Sequence, residues 1–417
     1  MLKNNLMSTI ALTELKERQI PAGYSRAGLT FVLAALTWIG PFSIDTYLPS
    51  LPAISESLGA SAAQVQQTMT AFLLFFAIMS LWHGAMADSY GRRRITLISL
   101  VIFLLASLGC AIAGSVNILM FFRALQGATA GAGMIVGRAI VRDLFEGAEA
   151  QRLMARVATV FSIAPIVAPM LGGWFQVWFG WRYIFIFMAV LSGVLLMSCW
   201  RLLPETLSYE HRQRLEPVFL ARSYWKVLTN RPFLMICGTF AFTNAGLFIY
   251  IIGAPVFLMK HLGLRETQFL WLFLPISIAL VTGASMSSRF AGRISGKKTI
   301  IIAYAIMSFA AVGNLVLNLL MPPMVPWTIL PVFFYVIGMS LAMPSLTLIT
   351  LDLFPSQRGL AASCQGFTSL IFNSLVSAFV ALTWASTLSL AVTMLLMLGV
   401  GVAAIAGYFR LTRHQKI

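Results

Sequence analysis

YIFIFMAVLSGVLLMSCW, residues 183–200, runs without a charge between Arg182 and Arg201. Its apolar residues are not spaced to leave one helical face wet. They fill the segment, and its length suits a helix crossing a hydrocarbon core of roughly 30 Å. Blocks of the same kind span 28–49, 63–86, 94–115, 118–140, 153–178, 182–203, 232–258, 268–288, 299–320, 326–350, 359–382 and 385–409. Only the polar stretch near Thr383–Thr387 divides the last two. Barrel strands would show short alternating segments instead. Backbone groups in lipid must be satisfied within their own segment, so each block is a helix. The expectation is an all-α integral membrane chain of twelve transmembrane helices.

Charge supports this reading. Of the 417 residues, 59% are hydrophobic and 10% charged, against about 25% charged in soluble domains. A formal charge of +16 raises nucleic acid as a partner, but the distribution argues otherwise. With the N-terminus inside, 24 Lys and Arg fall in segments on the inner face; Arg182, Lys260 and Arg265 are the three outside. That is the positive-inside asymmetry. It places both termini in the cytoplasm, supports an even helix count, and implies a multi-pass protein of the bacterial inner membrane that needs no nucleic acid. Residues 1–25 have no apolar core and do not read as a cleavable signal; the first block serves as an anchor. Cys110, Cys199, Cys237 and Cys364 lie singly within blocks, and His83, His211, His261 and His414 are scattered. Neither set has metal-ligand spacing, so no metal and no bound cofactor is expected.

The longest polar stretch, 204–230, divides the chain into two halves. The expected organisation is a cytoplasmic tail 1–25, a six-helix bundle 26–203, a cytoplasmic loop 204–230, a second six-helix bundle 231–410 and a tail 411–417, in a monomer. Transporters built from repeated halves bind substrate between them near the midplane. A faint internal echo agrees. Gly91-Arg92-Arg93 and Gly296-Lys297-Lys298 lie 205 positions apart, and the same offset sets Tyr250 opposite Asp45.

A charge inside a span is costly and marks function by default. Asp45, in Pro41-Phe42-Ser43-Ile44-Asp45-Thr46-Tyr47-Leu48-Pro49, is the only acidic residue in the apolar part of any block. Low-dielectric surroundings and a nearby cation act on a carboxyl in opposite senses, and their balance sets where it loads and unloads a proton. The plainer reading puts Asp45 at the wet outer end of its helix. Arg123, in Arg123-Ala124-Leu125-Gln126-Gly127, needs a counter-charge, a carbonyl or water, and Asp45 is the type-matched candidate; otherwise it snorkels outward. A third site, Gly84-Ala85-Met86-Ala87-Asp88-Ser89-Tyr90-Gly91-Arg92-Arg93-Arg94, joins two blocks. Gly84 and Gly91 permit a tight turn, and Asp88 with Arg92 and Arg93 can form charge pairs that latch two helical bundles. In the fifth block, Pro165, Pro169, Gly172 and Gly173 suggest either a simple bend or a functional hinge or seal. Gly127, Gly131, Gly133 and Gly137 are spaced for close helix packing.

These stretches carry a family resemblance. Gly84–Arg94 resembles the G-x-x-x-D-R-x-G-R-R signature of the major facilitator superfamily, departing at Ser89. Arg123–Gly127 is similar to its fourth-helix R-x-x-Q-G motif, linked there with proton coupling, and 164–173 to the fifth-helix motif of antiporters. Asp45-Thr46-Tyr47-Leu48-Pro49-Ser50-Leu51-Pro52 resembles the D-x-Y-L-P-x-L-P of the Bcr/CflA drug-resistance group, as does Gly137–Phe145. The resemblance implies two pseudo-symmetric six-helix bundles. It also implies a proton-coupled antiporter, with Asp45 and Arg123 as coupling residues. Such a protein exports small, often amphipathic drugs or toxic compounds by alternating access, with protons as the coupling ion. One proton moving inward across 100 mV releases about 2.3 kcal/mol, enough for a ratio of roughly 50-fold. Export of a specific metabolite, such as a siderophore or sugar, is the alternative, and proton-driven uptake a lesser one. No clustered nucleophiles or paired carboxylates suggest an enzyme. Aromatic and amide side chains make Tyr47, Asn244, Tyr250, Trp271, Phe334, Tyr335, Gln365 and Asn373 candidate pocket residues.

Overall fold

A computed structural model describes residues 25–413; most of the two expected tails, 1–25 and 411–417, lies outside the described residues. Among the described residues, twelve helices are long and apolar enough to cross a membrane. They are called spans 1 to 12: Ala27–Ser57, Ala62–Tyr90, Arg92–Ala111, Val116–Leu144, Glu149–Trp178, Arg182–Leu202, Arg231–Ile252, Glu266–Phe290, Gly296–Leu320, Leu330–Asp352, Arg358–Thr383 and Thr387–Thr412. The break between the last two falls where Thr383–Thr387 suggested. With an even number of crossings, both described ends share one face with the Gly91 turn and the connector after Leu202. We call this the basic face and the opposite side the far face.

Local chemistry sets the helix limits. Ser61 accepts from the Gln64 backbone while Gln64 caps Ser61 in return; Ser295 and Asn230 cap spans 9 and 7 in the same sense. Span 1 departs from a simple helix. It runs as Arg26–Leu36, then Ile39–Asp45, then a tight turn Leu48–Ser50, then Leu51–Ser57. Pro41, Pro49 and Pro52 bring no N–H to the ladder. Carbonyls near the breaks are taken by side chains: Thr37 donates to Ala34 at 2.6 Å, Ser43 to Ile39 at 2.6 Å, and Thr46 to Phe42. The span is therefore longer than its apolar block, and Asp45 lies well inside it rather than at a wet end.

Span contacts repeat after six. Spans 2 and 4, 3 and 4, 3 and 6, 1 and 6, and 1 and 5 pack together. Their counterparts 8 and 10, 9 and 10, 9 and 12, 7 and 12, and 7 and 11 do likewise. The halves join through spans 2 and 11 and through spans 5 and 8, which the same shift interchanges. Gly127 shows why glycine serves inside a half: a Cβ there would strike the Phe72 backbone of span 2.

Candidate functional site

Arg123 is 1% exposed. It projects from span 4 into a cage of three spans. Its guanidinium donates to Gln126 Oε1 at 2.8 Å and approaches Met69 Sδ at 3.4 Å. It lies over the rings of Tyr47 and Phe72, 4.6 and 4.3 Å from their centroids. Gln126 in turn donates to Ser107 Oγ at 2.8 Å, and Tyr47 pairs its hydroxyl with Thr68 at 2.7 Å. Ring faces and an amide oxygen thus supply what a carboxylate was expected to supply. The guanidinium Nε alone remains enclosed without a partner. Asp45 is not part of this cage, which corrects the expected pairing in this conformation. Tyr47 lies two positions after Asp45, so their side chains diverge by about 200° on a helix.

Asp45 is buried, 6% exposed, with no hydrogen-bond or ion-pair partner among the described residues. Its oxygens are not among the fully enclosed atoms, so they keep a trace of accessible surface. The next residue, Thr46, presents its carbonyl to Gly172 of span 5, so closely that a Cβ at Gly172 would strike it. Gly173 makes the equivalent approach to the Glu266 carbonyl at the start of span 8. One glycine therefore closes span 5 on the Asp45 segment, the other on the opposite half. Pro165 and Pro169 lie within a continuous helix Gly147–Trp178; the close contacts fall at the glycines beyond them.

Spans 2 and 11 cross-link the halves elsewhere on the far face. Gln66 donates to Ser377 at 3.0 Å and Gln67 to the Ala378 carbonyl at 3.2 Å. Thr70 donates to Ser377 at 3.0 Å, and Ser374 to the Thr70 carbonyl at 3.2 Å. Sequence reasoning missed this seam. Its signal was the amide pair Gln66-Gln67 inside a span, where amides are costly without partners. At the basic face the halves instead border a chamber of about 680 Å³. Its walls include Gly84, Asp88 and Arg142 of the first half and Gly359, Leu360 and Ser363 of the second.

The Gly84–Arg94 turn is drawn tight by charge. Gly91 takes φ +102°, a region closed to most L-residues. Arg92 pairs with Asp88 at 2.6 Å and with Asp143 of span 4 at 2.7 Å. Its backbone N–H donates to Glu205 at 2.9 Å, while Thr206 donates to Asp143 at 2.8 Å. Arg93 donates to the Trp200 carbonyl at 2.6 Å. The expected latch between bundles is corrected here: the partners found for Asp88, Arg92 and Arg93 all belong to the first half or the connector. Asp143 and Glu205 were missed because charge pairs for Arg92 and Arg93 were sought only within the Gly84–Arg94 stretch.

The candidate pocket residues divide. Asn244 donates to Asn373 at 3.0 Å between spans 7 and 11, and Gln365 reaches Thr347 at 3.4 Å. Tyr250 accepts from Asn314 at 2.7 Å, and Tyr335 donates to the Thr243 carbonyl at 2.8 Å. Those two tyrosines are sealed inside the second half, as Tyr47 is in the first. Trp271 shares an exposed apolar stripe with Leu274, Ile278 and Val281, and Phe334 is exposed; the Trp271 stripe has the character of a lipid-facing surface. His83 is buried.

Comparison with known proteins agrees with the architecture. The sequence matches the profile of the Major Facilitator Superfamily over residues 33–381. It is 30% identical to an uncharacterized MFS-type transporter, YdgK, of Bacillus subtilis, over 95% of this chain and 98% of that one. It is 27% identical to a bicyclomycin resistance protein homolog of Haemophilus influenzae, over 92% and 96%. A D-xylose–proton symporter crystal structure superposes with a TM-score of 0.70 at 15% identity, over 91% of this chain and 96% of that one. That likeness speaks for the fold alone. Twelve apolar spans, a contact pattern repeating after six and a profile match over most of the chain lead to one conclusion: this multi-pass membrane protein belongs to the major facilitator superfamily of transporters.

Proposed function

We propose that this chain is a proton-coupled antiporter of the bacterial inner membrane. It exports small, often amphipathic drugs or toxic compounds by alternating access between bundles 26–203 and 231–410. The basic face is cytoplasmic by its Lys and Arg content, so the conformation described is closed outward, with its chamber toward the cytoplasm. The observation that carries the reading is Asp45, a buried carboxyl with no protein partner, beside the Thr46–Gly172 contact. A carboxyl left without a partner is free to exchange its proton. Its charge change is felt where span 5 meets span 1, one residue before Gly173 meets the other bundle. Arg123, caged nearby, holds Tyr47 and so fixes the helical segment that follows Asp45. The drug-resistance name of the Haemophilus relative supports the substrate class.

The test is export from proteoliposomes under an imposed pH gradient, with chloramphenicol and other antibacterial compounds as probes. Asp45→Asn removes the exchangeable proton while keeping size. Export driven by the gradient is expected to vanish, with substrate binding retained. Full gradient-driven export in Asp45→Asn removes Asp45 from coupling. Substrate and protons moving in the same direction would make the protein a symporter. Release of one cell metabolite, with no drug exported, would select the metabolite reading.

A further inference from the structure

The connector contains a helix the apolar blocks did not announce, Pro217–Leu228, reading PVFLARSYWKVL. Its residues fall into two faces. Leu220, Tyr224, Val227 and Leu228, spaced four, three and one apart, turn inward. They pack with Phe233, Cys237, Ala361 and Cys364 of the second half and with Leu81 of span 2. The Tyr224 hydroxyl donates to the Leu81 carbonyl at 2.8 Å; burial pushes its pKa up to about 12, so it remains a donor throughout the physiological range. The helix therefore bridges both halves at the basic face.

Its other flank is unpartnered and apolar. Val218 is 67% and Trp225 71% exposed. With Ala221, Arg222 and Lys226 they border a shallow, open groove whose lining also includes Trp82. No acidic residue lines this groove. Trp82 lies about two turns beyond Phe75 and one beyond Ile78, which are exposed on span 2; the groove thus continues a lipid-facing stripe to its end. Tryptophans with an apolar body and a polar tip settle at the membrane–water boundary, and two cations one turn apart at that level meet the phosphates of the leaflet.

We propose that the groove between Trp82 and helix Pro217–Leu228 binds an anionic diacyl phospholipid. Arg222 and Lys226 hold its phosphate, and its upper acyl segments lie on Trp82, Val218 and Trp225. A free phosphate ion would leave the exposed Trp225 and Val218 and the half-buried Trp82 uncovered; a lipid satisfies both the charge and the apolar wall. Bound there, it clamps the bridging helix from outside.

The test is native mass spectrometry of the full-length protein in detergent with phosphatidylglycerol or phosphatidylcholine of matched chains. Wild type is expected to retain phosphatidylglycerol at least tenfold more than phosphatidylcholine. The double variant Arg222→Gln/Lys226→Gln should lower phosphatidylglycerol retention roughly thirty-fold, about five-fold per cation. The charge-preserving variant Arg222→Lys/Lys226→Arg should keep it. Both side chains are exposed, so the packed face is left intact. Equal retention of the two lipids overturns the proposal. So does an undiminished phosphatidylglycerol adduct in the double glutamine variant. Complete displacement by millimolar inorganic phosphate also overturns it, by making this a free-phosphate site. None of these readouts involves transport, so they stand or fall apart from the export reading.

Discussion

Gly173→Ala isolates the far-face seal. A Cβ at this position would strike the Glu266 carbonyl, a backbone atom at the start of span 8 that has no flexible side chain to move aside. Overpacking of this kind costs about 1–3 kcal/mol. Span 5 and span 8 belong to different halves, so the contact exists only while the far face is closed, and the whole cost falls on that state. At 1.4 kcal/mol per factor of ten, the closed-to-open ratio should drop by roughly 5- to 150-fold. Gly172→Ala is the internal control. Its clash is with Thr46 of the same half, which persists in either state, so it should lower thermal stability without biasing the equilibrium. The assay is maleimide labelling of Ser377→Cys, at the far-face seam, from the far side with a membrane-impermeant reagent. The four native cysteines are buried and should contribute little. Labelling should rise at least five-fold in the Gly173→Ala background and stay within twofold in the Gly172→Ala background. Unchanged labelling in a normally folded Gly173→Ala protein refutes the assignment of this contact to the seal.

Three further outcomes follow from the same geometry. Asp88 is more exposed than Asp143 and serves Arg92 alone, whereas Asp143 binds both Arg92 and Thr206. Asp143→Asn should therefore lower the melting temperature more than Asp88→Asn, whose partly exposed pair is worth at most about 1 kcal/mol; equal shifts would contradict the arrangement. Tyr250→Phe leaves the Asn314 amide without its tyrosine partner and should cost about 1–3 kcal/mol of stability, with no change in the range of compounds exported; altered selectivity would return Tyr250 to the pocket. Arg123→Lys keeps the charge but loses the planar stacking on Tyr47 and Phe72. Transport should fall by an order of magnitude or more, and wild-type turnover would show that a point charge suffices.

The twelve crossings were legible because lipid makes one demand of every spanning segment: about 20 apolar residues with their backbone groups paired internally. The breaks in span 1 were not, since Thr37, Ser43 and Thr46 occupy carbonyls in a way that only the folded segment reveals. Arg123 was legible as a buried cation, but the search for its partner went by charge. The partners are two ring faces, an amide and a thioether, brought from three spans. The pocket residues were chosen by type alone. Spans that are apolar all round carry no periodicity to say which face turns inward, so Tyr250 and Trp271 were grouped together although one is sealed and the other exposed. Asp143 and Glu205 escaped because they lie 51 and 113 positions from Arg92 along the chain, and only the fold brings them to it.

The repeat of contacts after six spans bears on how the molecule can be made. Each half starts and ends on the same side and meets the other through two patches that exchange roles under the repeat. Nothing in that pattern requires one continuous polypeptide. Two genes, one for each half, should yield partners that recognise one another in the bilayer, with the helix Pro217–Leu228 carried on the second.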